Sequence, residues 1–268
     1  MSLIETADGK RFIYDCNITD KNEPKVLGYV ARQIGWNTKI SAFICSHRDA
    51  DHMRGILKLH ANFPIQKIWD SGYPGTSTDT PEYRQYMQLR RQVGGVVKEK
   101  QKRQDFGKTR FRFLSAKDNR LAKNANAQGI VIKTEHRSAD DLRLEGSVML
   151  TGDSDAETWR YGIQKDYRDN VLSCDILVAG HHGSITFFDD PKDEKHYYTH
   201  HVQAMNPAMT IVSVGKNPHG HPDPKAIELY EKYSRGSDKG NKLYRTDQQG
   251  NMKVFLKDGG GWNLKYNQ

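Results

Sequence analysis

Four side chains of the types that bind metal ions fall within six residues of this chain, in the segment HRDADH (47–52). Imidazole nitrogens and carboxylate oxygens are preferred ligands of Zn²⁺, Mn²⁺ and Fe²⁺. An apolar run precedes the segment and a helical pattern follows it, so a strand-to-helix turn would bring the four side chains together. A helix cap would need only one acid and would leave both histidines unexplained. The segment therefore predicts a metal site.

Two later strand ends carry the same kinds of side chain. Asp153 closes the run SVMLTGD, and His181 and His182 follow the run CDILVAG. Ligands gather outside the carboxyl ends of strands in open α/β architectures. An N-cap role would explain Asp153 equally well when it is taken alone. Together, however, the three strand ends favour a two-metal hydrolytic site. A fourth strand end adds His221 in a Pro-rich turn.

The rest of the chain alternates short apolar runs with helical patterns, which predicts one layered α/β domain over residues 1–268. Loops are expected at 71–80 and 115–128, which are rich in turn-forming residues. The strands are expected at 11–15, 39–46, 64–70, 129–134, 147–153, 174–180, 209–215 and 252–256. The helices are expected at 25–34, 53–60, 81–93, 156–167 and 223–233.

Composition excludes several classes of protein. No apolar run approaches the roughly 18 residues that span a membrane, and no signal peptide is recognisable. Three widely spaced cysteines argue against a disulfide framework. We therefore exclude a transmembrane pore, a secreted disulfide scaffold and a collagen-like fibre, and we expect a cytoplasmic protein.

The chain is basic, with 41 Lys and Arg against 33 Asp and Glu and a net charge of +8. Such a surplus favours partners that carry phosphates, and much of it falls between residues 84 and 112. This run is either a solvated helical face or a contact surface for a nucleic-acid backbone. The candidate nucleic-acid contacts are Arg90, Arg91, Lys100, Lys102 and Arg103.

These motifs resemble the metallo-β-lactamase superfamily, whose signature after a strand is His-x-His-x-Asp-His. An Asp replaces the second His here, as in the hydrolase domain of bacterial competence DNA-uptake proteins and in phosphorylcholine esterases. The motifs TGD (151–153), HHGS (181–184), GHP (220–222) and YRTDQQG (244–250) follow in the order of the competence branch. The resemblance therefore covers about residues 10–255. It implies an α/β metallo-β-lactamase fold, which is a four-layer αββα sandwich.

The resemblance also implies a role for each site residue. The metal ligands would be His47, Asp49, Asp51, His52, Asp153 and His181. The catalytic residues would be Asp51, His182 and His221. Asp153 would bridge two metal ions. His181 would be the ligand, because a Gly-His-x-Gly turn matches the family's last ligand better than His182 does. Since adjacent residues of a strand point to opposite faces, both histidines should not bind one metal. A further family histidine has no clear counterpart, because residues 124–128 occupy its place and His136 lies too far along a strand. One or two divalent cations are implied, with Zn²⁺ first and Mn²⁺ or Fe²⁺ as alternatives.

Three functions are open at this point. The first is a phosphodiesterase or nuclease that acts on nucleic acid through a metal-bound hydroxide. The second is hydrolysis of a small phosphoester, a carboxylic ester or a lactone at the same site, because members of one fold differ in the loops around the metal centre. The third is a non-catalytic nucleic-acid-binding module that a metal stabilises, although a structural site would need fewer ligands. The expected partner is nucleic acid or another phosphate-containing substrate, with no membrane.

Overall fold

The computed structural model describes residues 1–141, 143–190, 192–193, 196–215, 217 and 219–266. The strands in these residues are β1 (Ser2–Glu5), β2 (Arg11–Tyr14), β3 (Cys16–Asn17), β4 (Ala42–Ile44), β5 (Ile68–Asp70), β6 (Gly95–Val97), β7 (Arg103–Phe106), β8 (Thr109–Ser115), β9 (Val131–Arg137), β10 (Leu144–Leu150), β11 (Ile176–Val178), β12 (Met209–Val212), β13 (Leu243–Arg245), β14 (Met252–Leu256) and β15 (Trp262–Tyr266). The α-helices are α1 (Glu23–Ile34), α2 (Ala50–Met53), α3 (Ile56–Asn62), α4 (Pro81–Val93), α5 (Gln164–Asp166), α6 (Asp169–Leu172), α7 (His200–Met205), α8 (Pro224–Tyr233) and α9 (Thr246–Gln249). A π-helix, Thr158–Ile163, leads into α5, and 3₁₀ turns lie at Asn119–Leu121, Asn126–Gln128, Gly180–Gly183 and Ile185–Phe187.

Two main sheets carry the fold. The first sheet has the order β1-β2-β4-β5-β6, and β2, β4, β5 and β6 run parallel to one another. The second sheet has the order β13-β12-β11-β10-β9-β8-β7, in which β10 to β13 are parallel and β7 to β10 are antiparallel. The carboxyl ends of the parallel strands therefore share one edge in each sheet, and the segments that follow them lie close together.

The two sheets stack face to face with helices on both outer sides. Adjacent residues of β2 show this layering, because Phe12 contributes to the core between the sheets and Ile13 to the core under α1, α3 and α4. Across the inner core, the ring of Phe12 lies 5.0 Å from that of Phe111 on β8. The third core lies under the π-helix, α7 and α8, where Trp159 is fully buried. This arrangement confirms the predicted four-layer αββα sandwich.

The C-terminal hairpin of β14 and β15 forms a separate two-stranded sheet. Its apolar residues Val254, Trp262 and Leu264 pack against β11 and β12 through Ile176 and Ile211. The hairpin thus packs on one face of the second sheet, and its strands belong to a separate sheet. No helix among the described residues has the length and apolarity needed to cross a lipid bilayer.

Local chemistry explains where several elements begin and end. Helix α4 begins as predicted, because the Thr80 hydroxyl accepts a hydrogen bond from the Tyr83 amide and Pro81 occupies the first turn. The prediction of one helix over 53–60 is wrong, because α2 ends at Met53 and α3 begins at Ile56. Gly55 lies between them with φ of 77°. A Cβ atom at this glycine would lie 2.5 Å from Ile18, so no other residue fits there.

Candidate metal centre

The Asp153 carboxylate is the point on which four imidazole rings converge. Asp153 follows β10 and is buried. Its Oδ2 atom lies 3.2 Å from Nε2 of His52 and 3.8 Å from Nε2 of His47. The same atom lies 3.7 Å from Nε2 of His181, and Oδ1 lies 3.7 Å from Nε2 of His182. Two segments, one after β4 and one after β11, therefore meet at this carboxylate.

The two histidines that follow β4 are held at their Nδ1 atoms. Nδ1 of His52 donates to Oδ2 of Asp15 over 2.9 Å, and Nδ1 of His47 lies 3.0 Å from the Ser46 hydroxyl. The other oxygen of Asp15 accepts the backbone N–H of Ser46 at 2.7 Å. Asp15 therefore fixes both the HRDADH backbone and the orientation of His52. A contact of this kind fixes the tautomer of a histidine that binds a metal ion.

The two histidines that follow β11 are held in the same manner. Nδ1 of His182 donates to the Ser213 carbonyl over 2.8 Å, and Nδ1 of His181 lies 3.0 Å from the Thr186 hydroxyl. A ring that donates through Nδ1 in its neutral form has a lone pair on Nε2. The neutral form of His182 therefore presents the lone pair of Nε2 towards Asp153, as a metal ligand must.

An unusual turn allows His181 and His182 to converge. Both have left-handed backbone conformations, with φ of 47° and 55°, which are uncommon for residues other than glycine. Gly183 continues the turn with φ of 81°, and a Cβ atom there would lie 2.7 Å from Pro222 and 2.9 Å from Val212. Strained conformations of this kind cluster at functional sites.

The placement of His181 and His182 corrects the argument from strand alternation. The strand predicted over 174–180 ends at Val178, so the two histidines do not alternate across a sheet. Both reach Asp153, and His182 joins Asp51, His52 and Asp153 in a group whose ligand atoms all lie within 4.8 Å of one another. The assignment of metal binding to His181 and of catalysis to His182 stays a prediction.

The two remaining acids of the HRDADH segment lie at the edge of the cluster. Oδ2 of Asp49 lies 3.7 Å from Nε2 of His47, and its Oδ1 accepts hydrogen bonds from the amide and hydroxyl of Thr76. The predicted loop 71–80 is thereby anchored to the site. Oδ2 of Asp51 lies 3.6 Å from Nε2 of His52, and about half of the Asp51 side chain, 48%, is exposed. Asp51 therefore connects the cluster with solvent.

The electrostatics of the cluster suit a cation. Burial alone would lower the pKa of His52, but the Asp153 and Asp15 carboxylates outweigh it and hold that pKa well above its usual value. Burial likewise acts to raise the pKa of Asp153, but His52, His47 and His182 hold it well below its usual range. Nε2 of His52 is nevertheless buried without a hydrogen-bond partner. A divalent cation would neutralise Asp153 and satisfy this nitrogen, so the residues present fit a metal ion.

His221 lies farther from the centre of the cluster. Its ring centroid is 5.6 Å from that of His181, and the side chain is partly buried. Burial and the nearby His181 and His182 lower its pKa. The structure thus places His221 beside the cluster, whereas the other predicted metal ligands and catalytic residues lie in the cluster or at its edge.

Two of the five predicted nucleic-acid contacts are occupied by ion pairs. Nε of Arg90 donates to Oδ2 of Asp70 over 2.7 Å, and the same oxygen lies 3.0 Å from the Arg48 guanidinium. Asp70 is buried, so this network joins α4 to the HRDADH segment. Lys100 binds Asp118 over 2.9 Å and also contacts a second carboxylate. Arg90 and Lys100 are therefore engaged within the protein, and their contact with nucleic acid stays a prediction.

The other three predicted contacts are exposed. Arg91 lies in the last turn of α4, Lys102 in the turn before β7, and Arg103 on β7 itself. Lys102 forms an ion pair with Glu99 at 3.9 Å, and both side chains are largely exposed. These cations stay candidates for contact with a polyanion.

Comparisons with solved structures identify the fold. The metallo-β-lactamase fold protein YhfI from Bacillus subtilis is 12% identical, with a TM-score of 0.50, and the match covers 91% of this chain and 88% of that chain. CmlA, a diiron β-hydroxylase from Streptomyces venezuelae, is 15% identical, with a TM-score of 0.51 over 89% of this chain and 50% of that chain. No protein-family model matches the sequence, and no curated protein sequence matches it. The chain has the metallo-β-lactamase fold, as its ordered motifs predict.

Proposed function

We propose that this chain is a metal-dependent hydrolase, and specifically a phosphodiesterase that acts on nucleic acid. The observation that carries the proposal is the convergence of four imidazole Nε2 atoms on Asp153, at 3.2 to 3.8 Å. Each ring is oriented by a contact at Nδ1. Such preorganisation supports a metal centre more strongly than a chance cluster of surface groups.

His52, Asp153 and His182 would hold one cation together with Asp51, and His47 with Asp49 would hold a second. A bound divalent cation lowers the pKa of a coordinated water and offsets negative charge that develops on a phosphate. Asp51 reaches both the cluster and solvent, so its carboxylate would orient an incoming water and accept a proton from it.

His221 would supply the proton to the leaving oxygen. Its imidazole lies beside the cluster, and its lowered pKa reflects burial and neighbouring imidazoles. A phosphate bound next to His221 would act in the opposite sense, since a nearby negative charge favours the protonated ring. Protonation of this histidine would therefore accompany substrate binding.

A nucleic-acid substrate is favoured by charge and by the resemblance to the competence branch. The net charge of +8 attracts polyanions. In the part of the chain that the structure describes, exposed Arg91, Lys102 and Arg103 form no ion pair shorter than the 3.9 Å between Lys102 and Glu99. These cations would position a phosphodiester backbone without reading its sequence.

The test compares hydrolysis by metal-free protein and by protein loaded with Zn²⁺, Mn²⁺ or Fe²⁺. The substrates are single-stranded DNA, double-stranded DNA, RNA, a chromogenic phosphodiester and a chromogenic carboxylic ester. We expect metal-dependent cleavage of a nucleic acid, and we expect Asp153→Ala to reduce it to the metal-free rate while the protein stays folded. Asp20→Asn, a change in an exposed carboxylate that pairs with Lys58, is the matched control.

Each other outcome has a definite meaning. Full activity of Asp153→Ala would overturn the assigned site. Turnover of a small ester with no action on nucleic acid would favour the second of the three functions. Binding of DNA that weakens with salt, without turnover in any metal, would favour a non-catalytic binding module.

A further inference from the structure

A second group of metal-binding side chains lies far from Asp153. It consists of His136 on β9, Glu145 on β10 and Asp258 in the turn between β14 and β15. Nε2 of His136 lies 2.8 Å from Oδ1 of Asp258 and 3.7 Å from Oε2 of Glu145. One ligand atom from each of the three residues lies within 4.8 Å of the others.

The Glu145 side chain provides an independent reason to expect a ligand. Only 4% of this side chain is exposed, and its Oε2 atom is buried without a hydrogen-bond partner. The other oxygen, Oε1, accepts a hydrogen bond from Arg143 at 2.9 Å. A buried carboxylate oxygen without a partner costs free energy, and a cation between Glu145 and His136 would remove that cost.

The group is separate from the candidate metal centre. In the ladder of β9 and β10, His136 pairs with Gly146, whereas Ile132 pairs with Leu150 near the Asp153 end. Four residues of a strand span about 13 Å, so the two sites lie at opposite ends of these strands. This position also explains why His136 does not supply the histidine that the family has near the main centre.

We infer that His136, Glu145 and Asp258 form a Zn²⁺ site that fastens the C-terminal hairpin to the second sheet. An imidazole and two carboxylates are zinc ligands, and the roughly 2.0–2.2 Å bonds of tetrahedral zinc separate ligand atoms by about 3.3 Å. The observed 2.8 and 3.7 Å lie on either side of that value. Water would complete the coordination at the exposed side of Asp258.

Two cations near the site set its affinity. Nζ of Lys108 lies 2.9 Å from Oδ1 of Asp258, and Arg143 contacts Oε1 of Glu145. Zinc must displace the Lys108 ammonium from Asp258, which a long, partly exposed side chain permits. Arg143 binds the oxygen that faces away from the proposed ion and can remain. We therefore expect Lys108→Met to tighten zinc binding.

Zinc bound at this site would attach the C-terminal hairpin more firmly to the second sheet. The turn already contacts β10, because the Gly261 amide donates to the Glu145 carbonyl over 3.1 Å. A bond from zinc to Asp258 would add a second attachment at the same place. Zinc should thus slow local opening of residues 252–266 and leave the main centre unchanged.

The test uses the full chain and Zn²⁺ alone. After dialysis against one buffered free Zn²⁺ concentration, we expect His136→Gln to hold one zinc ion fewer than the unmodified protein. His196→Gln is the matched control, since His196 is an exposed histidine paired with Asp193. Should His136→Gln not fold, Asp258→Asn in the exposed turn serves the same purpose. Equal zinc content in the variant and the unmodified protein would overturn the site.

Hydrogen exchange provides a readout that does not depend on activity. Zn²⁺ should slow amide exchange over 252–266 in the unmodified protein and in the His196→Gln control, and should not do so in His136→Gln. Exchange in the hairpin that is the same with and without Zn²⁺ would overturn its attachment by the ion. Because activity is not measured, failure of the proposed hydrolase would not affect either result.

Discussion

Replacement of Asp15 by Asn tests how the site orients its ligands. The two carboxylate oxygens accept from two different donors, the Ser46 amide at 2.7 Å and Nδ1 of His52 at 2.9 Å. An Asn side chain offers one acceptor oxygen and a donor amide, so it cannot serve both. Either the Ser46 amide loses its partner, or His52 changes tautomer and places its proton on Nε2, where a metal would bind.

The two consequences of Asp15→Asn are a loss of unfolding free energy and a loss of metal affinity, and the size of each can be estimated. A buried donor without a partner costs about 1–3 kcal/mol of unfolding free energy. Loss of a second-sphere partner typically weakens metal binding 10- to 100-fold, or about 1.4–2.7 kcal/mol. We therefore expect Asp15→Asn to lower stability in EDTA, to weaken Zn²⁺ binding by this factor, or to do both.

Urea unfolding in EDTA and competition with a chromophoric zinc chelator measure the two quantities separately. Asp20→Asn removes an exposed carboxylate nearby in the sequence and should leave both unchanged. If Asp15→Asn binds zinc as tightly as the unmodified protein and is equally stable, then Asp15 does not position His52.

Three further predictions follow from buried groups. His201 is fully buried, which lowers its pKa from 6.5 to about 3. The free energy of unfolding should therefore fall as pH drops from about 6.5 towards 3, by about 2 kcal/mol at pH 5. In urea titrations, His201→Phe should remove this pH dependence. Gly183→Ala should displace the turn that carries His181 and His182, because the added Cβ atom would lie 2.7 Å from Pro222. We therefore expect weaker zinc binding in the chelator assay. Asp70→Asn leaves buried Arg48 without a full countercharge and should lower the free energy of unfolding by about 3–5 kcal/mol. An unchanged midpoint in chemical denaturation would show that the Asp70 ion pairs do not stabilise the fold.

The position of the main site could be predicted from sequence because it depends on strand ends. The HRDADH segment, Asp153 and the two histidines of HHGS each follow an apolar run. The carboxyl ends of parallel strands share an edge, so these groups are expected to meet even without a template. The structure places Asp153 within 4 Å of all four imidazoles.

The orientation of the ligands could not be predicted in the same way. Asp15 falls at the end of the predicted strand 11–15, but its φ of 54° ends the strand and directs its carboxylate to Ser46 and His52. These two hydrogen bonds join Asp15 to residues that lie 31 and 37 positions away in the sequence. Only its location at a strand end, shared with Asp153, was available as a signal.

The basic run shows why charge patterning alone misleads. Part of 84–112 folds as the edge strands β6 and β7. Arg90 and Lys100 find carboxylates that lie 20 and 18 residues away in sequence. Pairing at this range depends on the tertiary fold, so a count of cations overstates the charge that a substrate can contact.

Zinc anomalous scattering from crystals grown with Zn²⁺ would show whether Asp153 binds a metal ion. We expect an anomalous peak within about 2.0–2.2 Å of an Asp153 carboxylate oxygen and of Nε2 of His52. The absence of a peak at Asp153 in crystals where the four imidazoles surround it as described would contradict the metal centre.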